Sequence, residues 1–182
     1  LKKFFKSDIL FLNIPFRRNL ADPSYYMRQI ESVITHIEDS AVRFVIFASS
    51  TSVYPASMPL AAEDTVFSSD NHRSKALLET EQLLLDNQNF DSTIIRFAGL
   101  YGGERKIGRV LAGRRGVNEA MAPVNLIHLE DCIGIVVKVV EKDARNDIFN
   151  ACNDSHPTRK ETYTKAAAHY GFEAPQFTHQ PQ

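Results

Sequence analysis

Short apolar runs and helically spaced apolar positions alternate along most of the chain. The runs are rich in β-branched and aromatic residues, and they predict strands over 8–14, 42–48, 92–97 and 148–151. Strands that alternate with helices are typical of a mostly parallel sheet of the doubly wound type. The pattern therefore predicts an α/β fold.

Helices are predicted between and after these strands. Asp22 followed by Pro23 suits the start of the first helix, and Thr158 with Glu161 has the spacing of a capping box for the last. That last helix should end near Gly171. The apolar stripes of the other three helices are Tyr26, Ile30, Val33, Ile34 and Ile37; Leu77, Leu78, Leu84 and Leu85; and Ile133, Val136, Val137 and Val140.

Two serines follow the second apolar run directly. Ser49 and Ser50 end the strand, and the segment 72–75, which ends in Lys75, opens the next helix. Parallel sheets bind ligands at the carboxyl ends of their strands, so both serines lie where a site is expected. Strand-end serines also satisfy backbone groups of turns, and lysines in a first helical turn are usually solvated. Both interpretations stay open at this point.

Composition narrows the classes of partner. The chain has 182 residues, 43% of them hydrophobic, which is enough for one buried core. Lys and Arg number 21 against 22 Asp and Glu, so no basic surplus points to nucleic acid or to an anionic membrane. No apolar run approaches the roughly 20 residues that span a bilayer. Cys132 and Cys152 have no metal-ligand spacing and are predicted to be small buried side chains in a reducing cytoplasm.

The segments 49–54 and 72–75 resemble the extended short-chain dehydrogenase/reductase family, the NAD(P)-dependent epimerases, dehydratases and reductases of nucleotide sugars. The resemblance implies that Ser50 orients the substrate and that Lys75 holds the nicotinamide ribose. The family has Tyr-x-x-x-Lys here, and Asn71 occupies the position of the tyrosine. A carboxamide cannot exchange a proton at accessible pH. Asp70 or Asn71 is instead predicted to cap the helix that follows.

Later segments extend the resemblance. Residues 96–102 are similar to the family's Arg-x-x-x-x-Tyr-Gly segment, which implies that Phe97, Gly99 and Leu100 lie near the cofactor. Residues 123–131 are similar to Asn-x-Ile-His-x-x-Asp, which implies an architectural role for His128 and Asp131, and a metal is not expected. A basic cluster in the loop between could meet a substrate phosphate or be solvated; its members are Arg105, Lys106, Arg109, Arg114 and Arg115.

The family's Gly-x-x-Gly-x-x-Gly turn is absent from the sequence, and the strand predicted over 8–14 resembles the family's fourth. The chain is therefore expected to be an internal piece of a longer protein. It is interpreted as one partial Rossmann-type domain over 1–182. Residues 1–100 would supply the carboxyl-terminal half of the nucleotide fold, and 101–182 would supply substrate-lobe elements interleaved with the last sheet strands.

Three hypotheses follow for function. The first is an atypical NAD(P)-dependent epimerase/dehydratase or reductase-like protein, an oxidoreductase or isomerase that uses NAD or NADP in its full-length form. Its partners would be a small-molecule substrate, such as a nucleotide sugar, and a second copy in a homodimer. Tyr54 and Tyr101 are the phenols near the site in sequence, and neither matches the family's position. The second hypothesis is a non-catalytic dinucleotide-binding or scaffold protein, and the third is a small domain with no cofactor.

Overall fold

The computed structural model describes residues 4–16, 24–58, 60–68 and 71–178. The chain divides into two compact units. The first is formed by Leu1–Phe97 with Val136–Ala151, and the second by Ala98–Ile135 with Cys152–Gln182. The helices are α1 (Tyr25–Glu38), α2 (His72–Leu85), α3 (Leu129–Glu141) and α4 (Arg159–Tyr170). The strands are β1 (Ile9–Leu12), β2 (Phe44–Ser50), β3 (Asp91–Phe97), β4 (Gly99–Tyr101), β5 (Leu126–His128) and β6 (Asp147–Ala151).

The first unit contains a four-stranded sheet in the order β1-β2-β3-β6, with every neighbouring pair parallel. The predicted α/β class with a parallel sheet is therefore confirmed. Four consecutive residues of β2, from Phe44 to Phe47, are buried. Successive side chains of a strand point to opposite faces, so this run shows that both faces of the sheet are covered at β2.

Helices α1 and α2 bury the stripes that their spacing predicts. In α1 the buried residues are Tyr26, Ile30, Ile34 and Ile37, and in α2 they include Leu77 and Leu84. These side chains join those of β1 and β2 in one apolar cluster. The predicted helix start at 22–23 lies outside the described residues.

Helix α3 forms where the sequence predicts it, but its apolar residues divide between two faces. Val139 is buried, whereas Ile133, Val137 and Val140 are exposed. Helical spacing establishes that these residues share a stripe. It does not establish that anything within the described residues packs on that stripe.

The second unit is built around β4 and β5, which pair in parallel. Helix α4 begins with the predicted capping box of Thr158 and Glu161 and ends at Gly171, which has a φ of 69°. Both predicted ends of this helix are confirmed. Across the described residues, no helix has both the length and the apolar character needed to cross a bilayer.

Strand β1 lies at the edge of the described sheet, with β2 as its partner. Its outward side chains, Ile9 and Phe11, are 37% and 43% exposed. Natural edge strands avoid pairing with other chains by carrying charges, proline or bulges, and the stretch Ile9–Leu12 has no charged residue or proline. We therefore expect residues 1–182, expressed alone, to self-associate through β1.

Phe11→Lys should weaken this association because a lysine on an edge strand opposes pairing. The control is Val66→Lys, which places the same charge on a loop where the side chain is 97% exposed. Light scattering over a range of protein concentrations measures the effect. If the wild-type chain is monomeric throughout, or if both variants associate like the wild type, β1 is not the associating edge.

Candidate functional site

Three polar residues form a row across the carboxyl ends of the sheet strands. Ser49 of β2 pairs in register with Arg96 of β3, which in turn pairs with Asn150 of β6. Each is the residue before the last of its strand. Residues in register on parallel strands project to the same face. The topology therefore brings a hydroxyl, a guanidinium and a carboxamide to one end and one face of the sheet.

Arg96 and Glu81 of α2 form a buried ion pair. Arg96 donates from Nε to both carboxylate oxygens, at 3.2 and 3.1 Å, and its second terminal nitrogen donates to Oε2 at 2.7 Å. The two side chains are only 5% and 3% exposed. Burial alone lowers the pKa of the Arg96 guanidinium. The hydrogen bonds with Glu81 and the negative charge of Glu81 outweigh the effect of burial, so the pKa of Arg96 is raised. Arg96 therefore stays charged, and Glu81 also accepts a 2.5 Å bond from the Ser49 hydroxyl.

Tyr54 extends this cluster to the loop that follows β2. Its hydroxyl accepts a 2.6 Å hydrogen bond from Nη1 of Arg96. The same hydroxyl can donate to Oδ1 of Asn150 at 2.9 Å or to the carbonyl of Ala62 at 3.1 Å. Tyr54 is thus engaged both as acceptor and as donor. Exchange of its proton with a substrate would require breaking this network.

Glu63 and Phe67, later in the same loop, also contact these residues. The backbone N–H of Asn150 donates to Oε1 of Glu63 at 2.7 Å. The Arg96 guanidinium carbon lies 5.0 Å from the centre of the Tyr54 ring and 5.9 Å from that of Phe67, within the range of cation–π attraction. Tyr54 and the segment 62–67 are therefore anchored to β3 and β6 at several points.

Ser50 is the last residue of β2, at the carboxyl end that the sequence predicts. Its side chain is half-buried and accepts a 3.2 Å hydrogen bond from the N–H of Ser52. This bond caps the single 3-10 turn Thr51–Val53. The turn-capping role considered for strand-end serines is therefore present, and the hydroxyl proton of Ser50 is not used by this bond.

Lys75 lies in the first turn of α2, as predicted, and its side chain is exposed. Its neighbour Ser74 donates from its hydroxyl to the carbonyl of Ser52 at 2.7 Å. This contact joins the start of α2 to the turn that follows Ser50. Asn71 is the N-cap of the helix, since its side chain accepts from the N–H groups of Arg73 and Ser74, and the predicted capping role is confirmed.

The residues expected near a cofactor differ in their surroundings. Phe97 ends β3 and is buried, whereas Gly99 and Leu100 are exposed in β4. A Cβ on Gly99 would lie 2.9 Å from Leu126 and 3.0 Å from the carbonyl of Asn125. The close pairing of β4 and β5 is thus sufficient to require glycine here. The cofactor role of these three residues stays a prediction.

His128 of β5 lies against Tyr101 and Gly102 in the second unit. A Cβ on Gly102, whose φ is 108°, would fall 2.5 Å from Nε2 of His128. The Tyr101 ring makes an edge contact with the imidazole, with 5.0 Å between centres. These contacts agree with the architectural role expected of His128. Asp131 lies in the first turn of α3, where a carboxylate suits the helix dipole.

The basic cluster and the two cysteines are the remaining candidates. The basic cluster's side chains at 105, 106, 109, 114 and 115 are all exposed, and Lys106 lies over the Tyr170 ring at 5.6 Å. Cys132 and Cys152 are free and half-buried, and burial raises the pKa of both thiols. Within the part of the chain that the structure describes, no three His, Cys, Asp or Glu side chains cluster as metal ligands.

Sequence reasoning missed Glu81, Asn150 and the contacts of Arg96. A signal for Glu81 was available, because it lies four residues after Leu77 and three before Leu84 on the buried stripe of α2. A carboxylate on a buried stripe needs a partner, and this predicts a buried cation. The strand registers that bring Arg96 and Asn150 together have no local sequence signal.

Sequence comparison finds curated relatives of the chain. No protein-family model matches the chain. Protein YeeZ of Escherichia coli K12 is 31% identical over 171 residues, which are 94% of this chain and 62% of the relative. The chain thus spans less than two thirds of the curated relatives it matches.

Solved structures resemble the chain over nearly its whole length. UDP-N-acetylglucosamine 4-epimerase from Bacillus cereus has a TM-score of 0.78 and 14% identity, and covers 97% of this chain and 67% of its own. A short-chain dehydrogenase/reductase superfamily protein from Agrobacterium tumefaciens with bound NAD has a TM-score of 0.75 and 16% identity. This match covers 96% of the present chain and 69% of the Agrobacterium protein. These likenesses confirm the expected Rossmann-type fold.

Proposed function

We propose that this chain, which has the fold of the NAD-binding epimerases and short-chain dehydrogenases/reductases, is part of an atypical NAD(P)-dependent epimerase/dehydratase or reductase. The substrate class is a nucleotide sugar or another small molecule with a carbonyl or hydroxyl group. Bound NAD or NADP would supply hydride transfer. The observation that carries the proposal is the position of Ser50 and Lys75 beside the Ser52–Ser74 contact, at the carboxyl ends of the strands.

The chemistry of both side chains suits the assigned roles. The Ser50 hydroxyl can donate a hydrogen bond to a substrate oxygen while its own oxygen accepts from Ser52. Lys75 is an exposed ammonium with three donors, which can bond the hydroxyl groups of the nicotinamide ribose. The turn that would hold the pyrophosphate is missing, because the sequence contains no Gly-x-x-Gly-x-x-Gly motif. The chain therefore fits the nicotinamide end of a dinucleotide.

Proton transfer is the step for which this chain offers no family residue. Asn71 occupies the tyrosine position and serves as a helix cap, and the Tyr54 hydroxyl is engaged by Arg96 and Asn150. This favours a second candidate function, a dinucleotide-binding protein without turnover. A screen of the NAD-loaded full-length protein against nucleotide sugars separates the two. Conversion of a sugar supports the enzyme, and NAD binding without conversion of any sugar supports the scaffold.

Lys75→Ala in the full-length protein should weaken NAD binding by roughly 10- to 100-fold, the range expected for lost hydrogen bonds from a charged donor. Asn71→Ala should cost about 1 kcal/mol of stability as a lost cap, with a smaller effect on affinity. Lys160→Ala controls for net charge, since Lys160 is exposed in the first turn of α4. Calorimetric titration with NAD measures the affinity of all three variants. Equal affinities for the Lys75 and Lys160 variants would show that Lys75 is only a surface residue.

A further inference from the structure

The buried cluster around Arg96 does more than fill the space between α2 and the sheet. Its ion pair with Glu81 accounts for two of the three guanidinium nitrogens. The third nitrogen, Nη1, donates to Tyr54 in the loop after β2. A purely structural ion pair between β3 and α2 has no need of this third bond, which reaches a different segment.

The loop contacts converge on two residues of the sheet. Tyr54 bonds Arg96 and Asn150, the carbonyl of Ala62 lies within reach of the Tyr54 hydroxyl, and Glu63 accepts from the backbone of Asn150. Arg96 and Asn150 are in register on neighbouring strands. Arg96 and Asn150 therefore both hold Tyr54, and Asn150 also holds Glu63.

The anchored loop starts four residues after Ser50. Between them lies only the 3-10 turn Thr51–Val53, closed by the N–H of Tyr54 bonding the carbonyl of Thr51 at 3.2 Å. The Ser50 hydroxyl is bonded to this turn through Ser52. A displacement of Tyr54 would thus move the turn and change the orientation of the Ser50 side chain.

We propose that Arg96 is a positioning residue that, through the Tyr54 hydroxyl, fixes the turn after β2 and thereby the orientation of Ser50. Arg96 acts through Tyr54 and does not itself contact substrate. The inference rests on the proposed function for the role of Ser50, but the geometry of the turn can be tested without any substrate. It also gives Tyr54 a role other than proton transfer.

The test compares Tyr54→Phe with Tyr25→Phe in the full-length protein by residue-resolved amide hydrogen exchange. Both changes remove one hydroxyl from a tyrosine of the first unit, and Tyr25 is the first residue of α1 with a side chain that is 37% exposed. The amide of Ser52 reports the Ser50 hydroxyl directly because the two are bonded. We expect exchange at Ser52 and Tyr54 to become at least about tenfold faster in Tyr54→Phe only, with the amides of β3 unchanged in both.

Equal exchange at Ser52 in the two variants would overturn the proposal. If Tyr54→Phe does not fold, Arg96→Lys replaces it, since a lysine keeps a cation beside Glu81 but lacks the guanidinium fork that also donates to Tyr54. Faster exchange at Ser52 is expected there as well, and an unchanged rate again counts against the proposal.

A second readout links the turn to the site. In a protein that binds NAD and converts a sugar, Tyr54→Phe should lower kcat by about tenfold or more with little change in NAD affinity, because Ser50 is assigned to the substrate. An unchanged kcat beside a mobile turn would refute the positioning role. If the wild-type protein binds no NAD, the proposed function fails, and the exchange comparison still decides whether Arg96 and Tyr54 fix the turn.

Discussion

Glu81→Gln is expected to lower the free energy of unfolding by about 3–5 kcal/mol, the cost of leaving one partner of a buried ion pair uncompensated. The change removes the negative charge and keeps the size of the side chain. Arg96 would remain charged and only 4% exposed, with its strongest partner neutralised. Since whole domains are stable by about 5–15 kcal/mol, this single substitution would remove a large part of the total.

Two further variants make this result specific. Asp91→Asn neutralises a carboxylate paired with Arg145 at 2.9 Å, but these side chains are 40% and 35% exposed, so we expect a loss below about 1 kcal/mol. Arg96→Met combined with Glu81→Gln removes both buried charges and should recover part of the loss, because no charge is left unpaired although the Arg96 bond to Tyr54 is lost. Urea unfolding followed by circular dichroism measures each variant. A loss for Glu81→Gln no larger than for Asp91→Asn would contradict a tightly coupled buried pair.

Residues 1–182, expressed alone, should bind NAD at least about 100-fold more weakly than the full-length protein. The reason is the absence from this sequence of the glycine-rich turn, whose N–H groups and helix N-terminus hold the pyrophosphate. The exposed Lys75 and the Ser50 hydroxyl can contact only the nicotinamide end. Calorimetric titration of both proteins with NAD under the same conditions provides the comparison.

Circular dichroism of the same sample verifies that residues 1–182 are folded during the titration. The Phe11→Lys variant supplies a second sample in which association through β1 is reduced. A dissociation constant at or below micromolar for either form would contradict the expectation. It would mean that these residues contain a complete dinucleotide site of a kind that the sequence does not reveal.

The elements of the fold could be predicted because they depend on local spacing. The run over 42–48 and the serines after it correspond to β2, which the structure places two residues later, at Phe44–Ser50. The predicted strand over 8–14 is shorter, Ile9–Leu12, since strand ends depend on a pairing partner that sequence does not specify. The parallel pair of β4 and β5 was not predicted, because three-residue strands are too short to show periodicity.

The candidate site was predictable only in part, for the same reason. Ser50 and Asn71 follow local rules for strand ends and helix caps, and both lie where those rules place them. Arg96 was expected only as part of a motif, and its bonds to Glu81 and Tyr54 join residues 15 and 42 positions apart. Such contacts follow from strand order and register, which are set by packing of the whole unit.

The most direct test of the account is a crystal structure of the full-length protein with NAD, in which the position of the nicotinamide ribose is measured against Lys75 and Ser50. We predict that Nζ of Lys75 lies within about 3.2 Å of a ribose hydroxyl. The Ser50 hydroxyl should open on the same side as the nicotinamide ring. A dinucleotide bound away from the carboxyl ends of β2 and β3, or a ribose beyond hydrogen-bond reach of Lys75, would contradict the proposed site.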